Sequence, residues 1–371
     1  MKVPLCKTVL TKKELNIISK SLKTGWLTHG KKNIEFEKNF KKIINVKYAL
    51  SMNSCTSALE CSIKSQKIKG EIIVPSWTWV STINAVLNSN CVPVFADVDI
   101  NSRNISAKYI EKKINKKTKA VIVVHYAGYP CEMDKIVKLC KKHKLILIED
   151  SAETLGATFK GKKTGSFGTG CFSFFPTKNI TTTEGGMLTT NNKKIYINSK
   201  KLIAHGIIKK NKNFPWKREA ELAGHNFRLP NHLAALGIEQ LKKLKLFNKK
   251  RNSIAKKYDR FLGKFPQYFE VQKLDRKFTH SYQMYTCLVK NNIRDDLVLF
   301  LRSKNIEASV HFDPPLHKQK YCKNFVKDKL PNTELLSRSI ISLPIYPTLN
   351  DRQIKFIFNK IKEWIDKNNI R

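Results

Sequence analysis

Between residues 48 and 190 the chain alternates short, nearly all-apolar runs with longer stretches of helical period, and this alternation constrains the fold more than any other feature. The apolar runs fall at 48–52, 71–74, 92–97, 120–125, 145–150, 170–175 and 186–189. Amphipathic segments lie between them at 57–66, 78–88, 107–115 and 133–143. A strand that is apolar along its whole length is covered on both faces, so the pattern predicts an α/β unit with a largely parallel, doubly covered sheet. Ligands of such sheets sit outside the carboxyl ends of the strands. The segments to search for chemistry are therefore 53–57, 75–79, 125–129, 150–153 and 177–178.

Beyond the sheet the pattern changes. A polar stretch at 209–216 reads as a loop, and a helical segment at 233–263 follows. New strand-like runs (280–289, 308–311) and helices (295–304, 351–367) predict a second, smaller α+β domain. The expected division of the 371 residues is a large domain over 1–248 and a small one over 249–371. No run of about 18 apolar residues suggests a membrane span, and the start of the chain lacks the apolar region of a secretory signal. Nine cysteines, an odd number without CxxC spacing, fit reduced thiols in a cytoplasmic setting. Histidines in HExxH or HxH spacing are lacking, so no dedicated metal site is expected. The net charge of +41 raises the question of nucleic acid. The lysines are spread along the whole chain without a basic tail, which fits a generally basic solvated surface and makes a nucleic-acid partner a poor expectation.

Four segments could carry chemistry. In LILIEDSAETLGA, Asp150 ends a Leu/Ile strand and is either the N-cap of a following helix or a buried functional acid. In CFSFFPTKNITTTEGGM, Lys178 follows an aromatic strand; it is either an exposed turn lysine or an amine nucleophile beside apolar surface. A strand-end acid and a lysine are the pair that pyridoxal phosphate (PLP) requires, the lysine for a Schiff base and the acid for the pyridine nitrogen. In NSCTSALE, Thr56 and Ser57 open a helix whose N-terminal amides can cap themselves or hold a phosphate. In VPSWTWVST, an indole at a strand end can pack in the core or stack on a planar ring.

The order TGWLTHG, NSCTSALE, VPSWTWVSTINAVLNSNCVPVFADVD, VVHYAGYP, IEDSAETLGA, FSFFPTKNITTTEGGM, AGHNFRLPNHLAALG resembles the DegT/DnrJ/EryC1/StrS family of PLP-dependent sugar aminotransferases, along nearly the whole chain. The resemblance implies fold type I: a large domain with a mostly parallel mixed sheet flanked by helices, and a smaller C-terminal α+β domain. It implies PLP on Lys178, which also shuttles the proton, and Asp150 on the ring nitrogen. Trp79 would stack on the ring, Glu153 would lie beside its hydroxyl, and Thr56, Ser57 and Ser173 would hold the phosphate. Asn226 would reach the phosphate in a neighbouring subunit, giving a homodimer with shared active sites. Arg228, His311 and His317 are candidates for substrate contacts, and His125 either lines the sugar pocket or packs at its strand end.

The implied reaction moves an amino group from L-glutamate to the keto carbon, C4 first, of a nucleotide-linked keto-deoxysugar. WTWVST, HYAGYP and HFDPPLHKQKYCK are similar to enzymes that aminate a UDP-4-keto-pentose, while GKKTGSFGT and the Asp-x-x-Glu segment are similar to perosamine-type synthases. Cys55 stands where the family has a small Gly or Ala, and Glu153 where His or Gln is frequent. Lys178 argues against the dehydratase branch, which carries His there. The alternatives are C3 amination of a dTDP-3-keto-deoxysugar, or a non-catalytic regulator of the same fold. Retention of Lys178 and Asp150, with no appended helix-turn-helix, argues against the regulator.

Overall fold

The computed structural model describes residues 1–208, 214 and 216–369. Seven strands build the central sheet: β1 (Tyr48–Met52), β2 (Glu71–Pro75), β3 (Val92–Ala96), β4 (Thr118–Val124), β5 (Ile146–Asp150), β6 (Thr169–Ser173) and β7 (Gly186–Thr190). Their order is β1-β7-β6-β5-β4-β2-β3, and β7 alone runs against its neighbours. The other six end on one edge, where β7 begins. The helices of this part are α1 (Lys12–Lys23), α2 (Lys31–Ile44), α3 (Cys55–Ser65), α4 (Val80–Leu87), α5 (Ala107–Glu111), α6 (Met133–Lys142) and α7 (Lys193–Leu202).

Strand β4 shows why the apolar runs are continuous. Ala120 and Ile122 pack into the layer that holds Ala58 and Leu59 of α3, whereas Val121 and Val123 pack into the layer that holds Ile136 and Cys140 of α6. All four strand residues are fully buried, because successive side chains of a strand point to opposite faces and both faces here are covered.

Helix α8 (Asn231–Leu262) is 32 residues long, about 48 Å at the usual rise. Its first half packs Ala234, Leu241 and Phe247 against Phe36 of α2 and Phe174. Its second half packs Ile254, Tyr258 and Leu262 into a separate cluster with Tyr285, Ile357 and Trp364. That second cluster belongs to a three-stranded antiparallel sheet of β8 (Phe269–Val271), β9 (Tyr285–Val289) and β10 (Ile340–Leu343), covered by α9 (Arg294–Ser303), α10 (Pro331–Ser339) and α11 (Asp351–Asn369). No helix among the described residues is long and apolar enough to cross a membrane. All nine cysteines are free thiols.

Three sequence expectations shift. The run 280–289 is a strand only from Tyr285; before it, Ser281 N bonds to Gly128 O and Ser281 Oγ to Glu153 O, so this backbone serves the large sheet's edge instead. The run 308–311 is reduced to a single bridge, Ser309 to Ser342. The helix expected from Ser57 begins at Cys55, because the Ser54 side chain accepts a hydrogen bond from Ser57 N and so caps it earlier. Most of the loop expected at 209–216 lies outside the described residues.

The first residues form a strap across both parts. Val3 N donates to Asn305 O and Ile345 N to Leu5 O; further on, Thr8 Oγ1 donates to Pro176 O and Gln240 Nε2 to Val9 O.

Candidate active site

A cavity of about 460 Å³ opens at the carboxyl edge of the large sheet. Asp150, the last residue of β5, lies at its base and is almost fully buried. No helix follows it, so the N-cap reading is excluded: the next residues form a turn, and Asp150 Oδ1 accepts from Ala152 N at 3.2 Å. Its Oδ2 accepts from Thr82 Oγ1 of α4 at 2.9 Å. Burial raises the carboxyl above its ordinary range even though both hydrogen bonds oppose the shift. Among the described residues no cation comes within ion-pairing distance of it.

Lys178 projects into the same cavity from the loop after β6, its backbone N bonded to Phe175 O. It is not an exposed turn lysine, for its side chain is only 16% exposed. Its Nζ lies 3.3 Å from Glu153 Oε1, while the other carboxylate oxygen of Glu153 accepts from Ala127 N at 2.7 Å. The lysine amine is therefore held by a carboxylate that the backbone itself fixes.

One wall is the N-terminus of α3, where Ser54, Cys55 and Thr56 line the cavity. Strand β7 comes so near that a Cβ on Gly186 would lie 2.3 Å from the Ser54 carbonyl carbon. A glycine there leaves the helix end undisturbed, and its free amides and partial positive charge suit an anion such as a phosphate. Ser173, at the end of β6, lines the cavity. Ser57 does not: its hydroxyl donates to Asn53 Oδ1 at 2.7 Å and lies against Ser54 Oγ. Trp79, the residue before α4, is 59% exposed and forms the opposite wall with Phe312, their ring centroids 6.0 Å apart.

The remaining candidates separate. His311 lines the cavity, with Nδ1 2.9 Å from Ser342 Oγ; burial lowers its imidazole pKa, Glu153 opposing and Lys178 assisting. His317 is outside the lining. Its Nδ1 lies 2.7 Å from Ser76 Oγ and its Nε2 3.5 Å from Glu334, so it pins the 316–318 turn to the end of β2. Asn226 and Arg228 lie outside the lining too, bonded to each other (Arg228 Nε to Asn226 Oδ1, 3.1 Å), with Asn226 exposed. His125 is structural: Cys131 N donates to its Nδ1, so Nε2 carries the proton and donates to buried Glu149 at 3.2 Å.

Sequence reasoning missed Thr82, Gln283, Met284 and Phe312. Thr82 carried a legible signal, three residues past Trp79 and so one helical turn along the same face. The other three come from the second part of the chain, and nothing local marks them.

The residues present fit PLP. A buried carboxylate without an ion-pair partner among the described residues suits a protonated pyridine nitrogen, the α3 terminus suits a phosphate, and a held lysine lines the same cavity. Comparison with known proteins agrees. Residues 8–362 match the DegT/DnrJ/EryC1/StrS aminotransferase family. An uncharacterized protein of Methanocaldococcus jannaschii is 36% identical over 99% of this chain and 98% of its own. The GDP-perosamine synthase of Vibrio cholerae is 33% identical over 98% of this chain and 99% of its own. Among solved structures, the Helicobacter pylori aminotransferase PseC, involved in the biosynthesis of pseudoaminic acid, superposes with a TM-score of 0.92 at 32% identity, covering 98% of this chain and 99% of its own. With a matched span this long and a lysine, an acid and a helix end meeting in one cavity, the chain belongs to the DegT/DnrJ/EryC1/StrS aminotransferase family, whose members are PLP-dependent sugar aminotransferases.

Proposed function

We propose that this sugar aminotransferase uses PLP to move an amino group from L-glutamate to C4 of a nucleotide-linked keto-sugar, giving an amino sugar for glycan synthesis. The observation that carries the reading is Asp150: a buried carboxylate at a strand end, its pKa raised by burial, with no ion-pair partner among the described residues, in one cavity with Lys178. The name of the Vibrio cholerae relative, GDP-perosamine synthase, supports the nucleotide-sugar substrate and the C4 position.

PLP, when bound, supplies a carbonyl that captures amines and a ring that takes up electron density. Asp150 keeps the proton on the ring nitrogen, and Thr82 orients the acid. Trp79 covers one ring face. Thr56, Ser173 and the α3 amides hold the phosphate, with Ser57 acting through the Ser54 cap. Lys178 would move a proton at Nζ in each half of the cycle, from the amino donor's Cα to the cofactor's reacting carbon in the first and from that carbon to the sugar carbon in the second. Glu153 holds that amine in position between transfers. Asn226, exposed beside the end of β1, supports a homodimer in which it reaches the partner's site. The division of labour falls within α8, near residue 248.

Protein loaded with PLP should absorb at about 410–420 nm, and L-glutamate should move the band to about 330 nm. A nucleotide-linked 4-keto-sugar should then restore it. Lys178→Ala should abolish both changes; a variant cycling at the normal rate refutes the assignment.

A further inference from the structure

Lys178 is flanked by two ties to one short segment from the second part of the chain. Gln283 Nε2 donates to the carbonyl of Thr177, the residue before the lysine, at 3.2 Å. Asn179, the residue after it, donates from Nδ2 to Ser281 O at 2.9 Å. The same segment supports the carboxylate that holds the lysine amine. Ser281 Oγ donates to Glu153 O at 3.0 Å. Met284 N donates to Ala127 O, and the N–H of that same Ala127 is bonded to Glu153 Oε2. Residues 281–284 are thus a common clamp for the amine and its acid partner, far from both in sequence.

The clamp is bent against its own preference. Tyr282 has φ 46° and Ala127, in the facing turn, φ 56°, left-handed conformations that residues with a Cβ adopt at a cost. Such backbone persists where its surroundings over-determine it, and here one side chain does much of that. Arg251, from the second half of α8, is 2% exposed. Its Nη1 reaches the carbonyls of Tyr282 (3.2 Å), Gln283 (3.2 Å) and Ile345 (2.9 Å). Its Nε has no partner, and no carboxylate among the described residues pairs with it. Burial without a counter-charge disfavours a cation and lowers this one to about 10, yet leaves it charged at neutral pH. Three carbonyls converging on one buried point are the feature that this charge answers.

We propose that Arg251, which lies outside the cavity lining, is a positioning residue for Lys178: it holds the bend at 281–284, and the bend holds the lysine loop and Glu153 in register. The inference rests on the reading of Lys178 as the amine that moves protons. The connection runs from Arg251 through the carbonyls of Tyr282 and Gln283 to the Gln283 amide, and from there to Thr177. A proton carrier shifted by a fraction of an ångström loses rate while its ligands still bind. The signature of such a residue is therefore in kcat and not in KM.

Four variants test this. Arg251→Lys keeps the charge but ends one atom short of Nη1. Arg251→Met removes the buried charge, a change that folds tolerate well, so one of the two is available even if the other fails to fold. Gln283→Leu removes the donor to Thr177, and a chamber of about 60 Å³ beside it, walled in part by Leu5 and Cys6, leaves room for the new side chain. Ile357→Ala, in the buried cluster of the second part, lowers stability without touching the clamp. Amide hydrogen exchange of the full chain without cofactor, read over residues 175–180, should be about tenfold faster in the Arg251 and Gln283 variants and within about twofold of the unaltered protein in Ile357→Ala. With PLP loaded, the maximal rate of the L-glutamate absorbance change should fall about tenfold in the same variants, with KM within about twofold. Arg251→Met combined with Gln283→Leu should lose no more than the worse single variant, because both act through one backbone segment. Unchanged exchange in the Arg251 variants overturns the proposal, as does faster exchange with an undiminished rate, a rate loss shared by Ile357→Ala, or losses that add in the double variant. No absorbance response in the unaltered protein refutes the reading of Lys178 itself, and the exchange comparison then still decides whether Arg251 holds its loop.

Discussion

The Thr82 hydroxyl donates a 2.9 Å hydrogen bond to Asp150 Oδ2, joining helix α4 to the end of strand β5 at the buried acid. Thr78 Oγ1 lies 3.0 Å behind it and fixes the hydroxyl in turn. The acid is thus aimed by a helix that Trp79 immediately precedes, so under the proposed PLP reading one element would set both the ring contact and the ring-nitrogen contact.

Thr82→Val should keep the shape of this contact and remove its donor. A hydrogen bond to a charged group is worth about 1.5–3 kcal/mol, so PLP affinity should fall by about tenfold or more in a cofactor titration. The carboxyl pKa should rise further, because one of the two bonds opposing its burial is gone.

Glu153→Gln should leave PLP bound and slow turnover. The variant keeps an acceptor for Ala127 N but loses the charge that holds Lys178 Nζ at 3.3 Å. A positioned proton carrier contributes about 10²–10⁴-fold; losing its orienting partner should cost part of that, about tenfold in kcat with KM for L-glutamate little changed.

Glu149 should prove a residue of the fold and not of the chemistry. Its carboxylate accepts from Gly165 N, Phe167 N and Gly168 N, and from His125. Glu149→Ala leaves these buried donors unpaired, at about 1–3 kcal/mol for each group that water cannot reach. Denaturant unfolding should show a loss above about 3 kcal/mol. His125→Ala should likewise lower stability far more than it lowers kcat per folded molecule.

Glu14 should contribute acid sensitivity. Burial alone would raise its carboxyl, but hydrogen bonds from Lys243, Thr11 and Gln240 outweigh that and bring it to about 2. A group with a depressed folded pKa stabilises fully above its unfolded value of about 4.3 and loses that contribution as pH falls toward 2. Denaturation midpoints measured from pH 6 to pH 3 should therefore fall less steeply for Glu14→Gln than for the unaltered protein. At pH 6 the variant should be the less stable of the two, since α1 and α8 lose a charged tie.

Much of this protein was written locally. Strands covered on both faces must be apolar throughout, and helices between them must be amphipathic, so the seven strands of the large sheet stood out within a few residues of their bounds. Strand ends of a parallel sheet share an edge, which was enough to draw attention to Asp150, Lys178 and the Thr56 region before any contact was known. The sequence could not separate Asp150 as cap from Asp150 as buried acid, since both readings place a carboxylate at a strand end. The turn that follows it, and the helix that approaches from the side, decided between them.

What only tertiary structure decided are the contacts made between segments far apart in the chain. His125 and His311 look alike in sequence, each near a strand and beside an aromatic residue; folding seals one against Glu149 and opens the other to the cavity. The residues 280–284 read as strand together with the run that continues to 289, yet their hydrogen bonds go to Gly128, Glu153 and Thr177, and that diversion places Gln283 and Met284 at the cavity that Lys178 lines. Local periodicity reports which face of an element is buried, but not against what. The strap formed by the first residues shows the limit most plainly: a short segment with no helix of its own lines a chamber next to Lys178 because backbone groups some 170 to 340 residues away hold it there.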